Sequence, residues 1–253
     1  MSGRGGGTRE RVLPPALRVP LGVAAGLAGL VVLALGLRYA GDGGPGRVDG
    51  WLVPSTADSV RPPWRYAALA VDFLAEPGGA AVLMVTALAG CLLLRRPRAA
   101  VFLLAATGLT VATTTLLKHL VGRTIHGAGN LSFPSGHTAF ATTLALVAAL
   151  LVAGRRGLGR AAGTLLVLGA GLAAGLAMGW AEVALGAHYA SDALGGWCTA
   201  LAVVHATASL IDRAAERGAA RPGTGSATRP ESGTAGRSAA RGVAGRSRHG
   251  RGV

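Results

Sequence analysis

The sequence predicts an all-α protein, a polytopic membrane helical bundle of six transmembrane helices with both termini in the cytoplasm. Three observations carry this prediction. Of 253 residues, 51% are hydrophobic and only 14% are charged, against roughly a quarter charged in a soluble domain. Mean hydropathy is +0.47. Several windows of about 17–22 residues carry almost no charge, long enough to cross a hydrocarbon core of roughly 30 Å. Strands of a membrane barrel need only about ten residues each, so runs of this length read as helices.

Each element follows in order. Residues 1–18 are rich in Gly and Arg and read as a disordered basic N-terminus. The membrane domain occupies 19–211. Its first apolar run, 20–40, is too long and begins too late for a cleaved signal peptide, so it reads as a retained helix. Residues 41–63 are polar and turn-rich. Residues 64–76 carry Trp64, Tyr66 and Phe73 and suit a short interfacial helix, with Asp72 and Glu76 as outer-surface charges. The second span covers 78–94 and ends at "RRPR"; the third covers 99–120. The fourth covers 135–153 and ends at "GRRGLGR"; the fifth covers 161–181 and the sixth 191–211. The stretch "GAGLAAGLAMG" at 169–179 offers small residues for close helix packing. Residues 212–253 lack hydrophobic periodicity and read as a disordered basic cytoplasmic tail.

Charge sets the orientation. With six spans, the N-terminal segment, "RRPR", "GRRGLGR" and the Arg-rich tail all fall on one side. The positive-inside rule makes that side cytoplasmic. The opposite side receives 41–77, 121–134 and 182–190, which hold most of the Asp and Glu. The net charge of +14 therefore reads as a topology signal. Aromatics are 4% and no basic helix or stacking platform is visible, so the pattern argues against a nucleic-acid partner. Cys91 and Cys198 both lie in apolar runs, with no C-x-x-C and no Cys/His cluster, and read as small buried hydrophobes rather than a disulfide or metal site.

The polar residues that resist a lipid explanation share a place. Lys118 and His119 end the third span, and Arg123 and His126 lie in the loop after it. Ser135, Gly136 and His137 open the fourth span, Glu182 ends the fifth, and His188 and Asp192 open the sixth. All fall at the outer ends of helices. Pro134 can begin a helix because its missing N–H costs nothing there. Gly136 admits a ligand close to the backbone, and Ser135 adds a hydroxyl. Unpaired N–H groups at the helix start favour an anion, and Lys118 and Arg123 add positive charge. "PSGH" thus reads as a phosphate cradle. In "HYASD", His188 and Asp192 stand four apart, as on one helix face. The carboxylate can hold one imidazole nitrogen and leave the other free, as in a nucleophile–orienter pair. His137 has no such carboxylate and suits proton donation. His119 and His205 read as structural; His126 and Glu182 stand as possible site residues.

On these residues the chain resembles the type 2 phosphatidic acid phosphatase family, membrane lipid phosphatases related to vanadium haloperoxidases and including undecaprenyl-diphosphate phosphatase-like proteins. That family's pattern is K-x6-R-P, P-S-G-H and S-R-x5-H-x3-D. Lys118 matches the leading Lys, "PSGH" is complete at 134–137, and "HYASD" supplies H-x3-D at 188–192. The resemblance covers roughly 65–211, with the motifs inside 118–192. It implies that His188 attacks phosphorus to form a phosphohistidine, that Asp192 orients it, and that His137 protonates the leaving oxygen. Lys118, Ser135 and the Gly136 amide would hold phosphate oxygens, with neither metal nor cofactor. Two departures stand out. Ile125 and His126 occupy the Arg-Pro positions, and Ala181 and Glu182 occupy the Ser-Arg positions. Arg123 lies two residues before the first vacancy and is expected to replace that arginine from the loop. A charge-assisted phosphate contact is worth about 1.5–3 kcal/mol, so two missing arginines bear on rate.

The expected function is a metal-independent phosphatase of the plasma membrane with its site on the extracytoplasmic face. It would hydrolyse a lipid phosphomonoester or diphosphate of the polyprenyl diphosphate, phosphatidic acid or phosphatidylglycerol phosphate class. The alternatives are a phosphotransferase on the same scaffold, or a catalytically impaired protein that binds or transports lipid phosphates.

Overall fold

A computed structural model describes residues 11–52, 60–127 and 129–220. Among these residues there are eight α-helices and no strand: α1 (Arg18–Arg38), α2 (Arg47–Leu52), α3 (Trp64–Phe73), α4 (Pro77–Leu93), α5 (Pro97–Val121), α6 (Gly136–Arg155), α7 (Arg160–Ala184) and α8 (Ala190–Ala220). Five helices are long and apolar enough to cross a membrane, and a sixth crossing results if α3 and α4, bent by 58°, count as one broken span.

The long helices form from uninterrupted apolar sequence, and punctuation residues end them. Pro77 and Pro97 occupy first-turn positions of α4 and α5, where a missing N–H is harmless. Gly122 ends α5 in the left-handed conformation, φ 65°, and its N–H returns to the Lys118 carbonyl. Ser135 caps α6, its hydroxyl accepting from the Thr138 N–H at 3.0 Å. Pro134 therefore precedes the cap instead of opening the helix.

α6 sits centrally, packed against α5, α7 and α8, while α1 lies along α8 and α3 against α7. Phe102, Leu146, Leu150, Val167, Leu201 and Val204 form the buried core. The outward face of α1 shows the reverse pattern: Val19, Val23, Leu27, Leu30, Leu33 and Leu37 are all exposed. Such a stripe at helical spacing is a liability in water and is satisfied by lipid. On α7, Gly171, Gly175 and Gly179 recur every fourth residue against Leu146, Trp197 and Ala193; an added Cβ would collide at the first two and crowd Ala193 at the third. The small-residue run at 169–179 thus packs helices closely.

Both boundaries of the membrane unit differ from the sequence expectation. Residues 11–18 are ordered, with Val12 and Leu13 buried, and α8 runs on to Ala220 past the expected limit at 211. One contact explains both. The Val12 and Leu13 N–H groups donate to the buried Asp212 carboxylate at 2.9 and 3.0 Å. Arg11 and Arg18 pair with Glu216 at 3.2 and 3.5 Å. The entering chain is strapped to the last helix by polar bonds that hydrophobic periodicity does not report. The rest of the expected disordered termini, 1–10 and 221–253, lies outside the described residues.

The two ends of the bundle differ in charge. Arg11, Arg95, Arg96, Arg98 and Arg155 surround one cavity at the end where α6 finishes. α6 has 20 residues, so at 1.5 Å per residue that end is roughly 30 Å from Ser135.

Candidate active site

At the opposite end, the start of α6, the end of α7 and the start of α8 converge. The Ser135 N–H donates to the Asp192 carbonyl at 3.0 Å, joining α6 to the first turn of α8. Gly196, one turn further along α8, lies so close to the Ser135 carbonyl that a Cβ would overlap it.

This convergence brings together His137, Glu182, His188 and Asp192. His188 Nδ1 lies 3.6 Å from Asp192 Oδ2, and His188 Nε2 lies 3.5 Å from Glu182 Oε1. His137 Nδ1 lies 3.7 Å from the same Glu182 oxygen, and His137 Nε2 lies 3.6 Å from Glu76 Oε1. The expected His188–Asp192 pair is therefore present, though not on one helix face. His188 precedes α8, and only Asp192 lies in its first turn. Asp192 Oδ2 also accepts from the Tyr189 N–H at 3.1 Å, which fixes the carboxylate toward the imidazole.

Glu182 is fully buried and central to this group. Ser135 donates its hydroxyl to the carboxylate at 2.6–2.7 Å, and Thr138 donates at 2.5 Å. Glu182 pairs with neither Lys118 nor Arg123 by hydrogen bond. Lys118 Nζ donates to the Leu131 carbonyl at 2.9 Å and lies within electrostatic reach of Glu182 and Asp192. Space in front of Gly136 is open, with nothing within 4 Å of an added Cβ.

Arg123 is not where the sequence reading expects it. The guanidinium is fully buried and pairs with the Asp192 oxygen other than the one beside His188. Nη1 donates to Asp192 Oδ1 and Ser191 Oγ, both at 2.6 Å. Nη2 donates to Asp49 Oδ2 at 2.8 Å and to the Gly44 carbonyl at 3.2 Å. Tyr39 and Tyr189 stack on it, with centroids 3.8 and 4.4 Å from the guanidinium carbon. The physical reason is charge: Asp49 and Asp192 are both buried, and one planar fork between them compensates both. Arg123 thus holds Asp192, and through it His188. His126 is likewise engaged elsewhere, Nε2 lying 2.7 Å from the Gly186 carbonyl.

Sequence reasoning missed Asp49, Ser191, Thr138, Tyr39 and Tyr189. Tyr189 and Ser191 lie inside "HYASD", where only the flanking residues drew notice. Asp49 sits in a turn-rich stretch with no motif. It accepts from the Ser191 N–H at 2.9 Å and hydroxyl at 2.7 Å, and from the Gly46 N–H at 3.1 Å. Burial pushes its carboxyl up, but the Arg123 guanidinium and the Ser191 and Gly46 donors outweigh it and hold Asp49 below its ordinary range. Burial raises the Tyr189 phenol. Among the described residues no group of three His, Cys, Asp or Glu has metal-binding geometry. Both cysteines are free.

Three comparisons bear on this arrangement. Residues 99–216 match the family described as the PAP2 superfamily. The match contains the residues from Lys118 to Asp192 and leaves Asp49 outside, and it shows the resemblance read from the motifs. Among solved structures the chain is similar to the first transmembrane PAP2 type phosphatidylglycerolphosphate phosphatase from Bacillus subtilis. That likeness has a TM-score of 0.58 at 20% identity, over 76% of this chain and 96% of that one. At this identity the likeness is one of fold. No curated protein matches.

Proposed function

We propose that this chain, whose residues 99–216 match the PAP2 superfamily, is an integral membrane lipid phosphatase. It would cleave a phosphomonoester or diphosphate of a lipid whose headgroup lies at the extracytoplasmic surface of the plasma membrane. Polyprenyl diphosphates, phosphatidic acid and phosphatidylglycerol phosphate are the candidate classes. One observation carries the reading: His188 has Nδ1 3.6 Å from the Asp192 carboxylate and Nε2 3.5 Å from Glu182, the carboxylate that His137 and Ser135 also approach, at the end of the bundle away from the arginine cluster.

The chemistry follows from that geometry. With the Asp192 carboxylate 3.6 Å from Nδ1, a proton on that nitrogen faces the carboxylate and leaves the lone pair on Nε2. Nε2 attacks phosphorus, the P–O bond to the lipid breaks, and His137 gives its proton to the departing oxygen. Water then attacks the phosphohistidine, the P–N bond breaks, and His137 takes the proton. Lys118, the α6 N-terminus and the Gly136 amide supply positive potential for the phosphoryl oxygens. No step requires a metal.

The test is phosphate release from a panel of lipid phosphates by detergent-purified protein in EDTA. Release by wild type that His188→Ala abolishes supports the reading. Equal release by His188→Ala overturns the mechanism. A second reading, lipid-phosphate binding with little turnover, is favoured by Arg123, whose guanidinium is taken up by Asp49 and Asp192. Retained lipid binding with no turnover on any substrate would establish it.

A further inference from the structure

The groups expected to hold a phosphate already hold an anion. Ser135 and Thr138 donate hydroxyls to Glu182, the α6 N-terminus lies beside it, and His188 Nε2 and His137 Nδ1 both face Glu182 Oε1. Lys118 reaches it electrostatically from α5. His188 Nε2 is the atom that would have to meet phosphorus, yet a carboxylate oxygen stands 3.5 Å away on that side. The carboxylate has no exposure to solvent, so this is not a surface charge resting near a histidine. A buried anion persists only where donors satisfy it, and here the donors are those of the cradle itself.

We propose that Glu182 is an internal occupant of the phosphate cradle, a carboxylate that an incoming phosphate must move aside before it reaches His188. Glu182 then sets how tightly the site takes phosphate. While it is in place, His188 lies between two carboxylates, Glu182 facing Nε2 and Asp192 facing Nδ1, so the nitrogen that must meet phosphorus is covered. When it swings out, the Ser135 and Thr138 hydroxyls are released to phosphoryl oxygens. This inference rests on the phosphatase reading only for the identity of the anion that displaces Glu182.

The experiment measures inorganic phosphate binding to full-length, detergent-purified protein by calorimetry, comparing wild type with Glu182→Gln and Glu182→Ala. Both variants should bind phosphate at least tenfold more tightly than wild type. Unchanged or weaker affinity in the variants overturns the proposal. A measurement on wild type guards against a variant that does not fold. In protein carrying 13C-labelled glutamate, saturating phosphate should shift the infrared band of a buried carboxylate. Phosphate binding with no such shift also overturns the proposal. Neither readout needs turnover, so they test Glu182 separately from the His188→Ala release assay, which tests the phosphatase reading.

Discussion

Arg123 shows how a charge count becomes a structural constraint. It is the one guanidinium between two fully buried carboxylates, Asp49 and Asp192. Removing one partner of such a group leaves uncompensated buried charge and costs about 3–5 kcal/mol. Arg123→Ala should therefore lower the thermal midpoint sharply and abolish activity, since Asp192 loses its anchor. Arg123→Lys should rescue little, because a point charge cannot bridge both carboxylates or stack between Tyr39 and Tyr189. The same network predicts a pH response. Asp49 is held below its ordinary value of 3.8, so its ionised form is favoured in the folded protein. Its contribution is fully present above that value and is lost as pH falls through the folded value, so the thermal midpoint should drop below about pH 4. Asp49→Asn should be less stable at neutral pH and show a flatter acid limb in the same scan. No sequence pattern announced this, because Asp49 and Arg123 are 74 residues apart and neither stands in a motif position. His188, Asp192 and His137 were legible as motif positions in "HYASD" and "PSGH", although His188 precedes α8 and does not share a helix face with Asp192, whereas the partner of Glu182 depended on rotamers at a three-helix junction.

At the scale of elements, the start of α6 is defined by what α8 allows. Ser135 is both the cap of α6 and a donor to Glu182, while Gly196 of α8 packs directly on its carbonyl. Gly196→Ala adds a methyl group where backbone stands, and overpacking of this kind costs about 1–3 kcal/mol. We expect a lowered midpoint and a larger proportional loss of activity, because the displaced turn carries Ser135, Gly136 and His137 together. Ser135→Ala should cost about 0.5–2 kcal/mol through the cap alone, measured by thermal unfolding. The sequence located the helices well, since charge-free runs bounded by Gly, Pro and Arg are strong signals. It placed the start of α6 within a residue. It stopped α8 too early because residues 212–220 carry no large apolar side chain, and their helix is held by Asp212 and Glu216 bonding the N-terminal segment. Asp212→Ala would leave the Val12 and Leu13 N–H groups unpaired in a buried setting, at about 1–3 kcal/mol. Increased proteolysis near residue 12 would report the loosened strap.

For the whole molecule, orientation follows from where the chain is at each turn. Val12 begins at the arginine end, and Tyr39, after α1, stacks on Arg123 at the site end. Glu76, just before α4, is near His137 at the site end, and Arg95 and Arg96, just after it, line the cavity with Arg11 and Arg155. α4 has 17 residues, about 25 Å at 1.5 Å per residue, short for a span yet it connects the two ends. Six crossings with the arginines inside are therefore expected, including the short one. Single cysteines in a Cys91→Ala, Cys198→Ala background give the test in intact cells with a membrane-impermeant maleimide. Asn130→Cys, beside the site, should label from outside. Arg95→Cys and Arg156→Cys should label only after permeabilisation. Labelling of Arg95→Cys from outside would mean that α4 turns back within the membrane. The arginine end would then be split between the two faces, against both the shared cavity and the charge asymmetry of the loops.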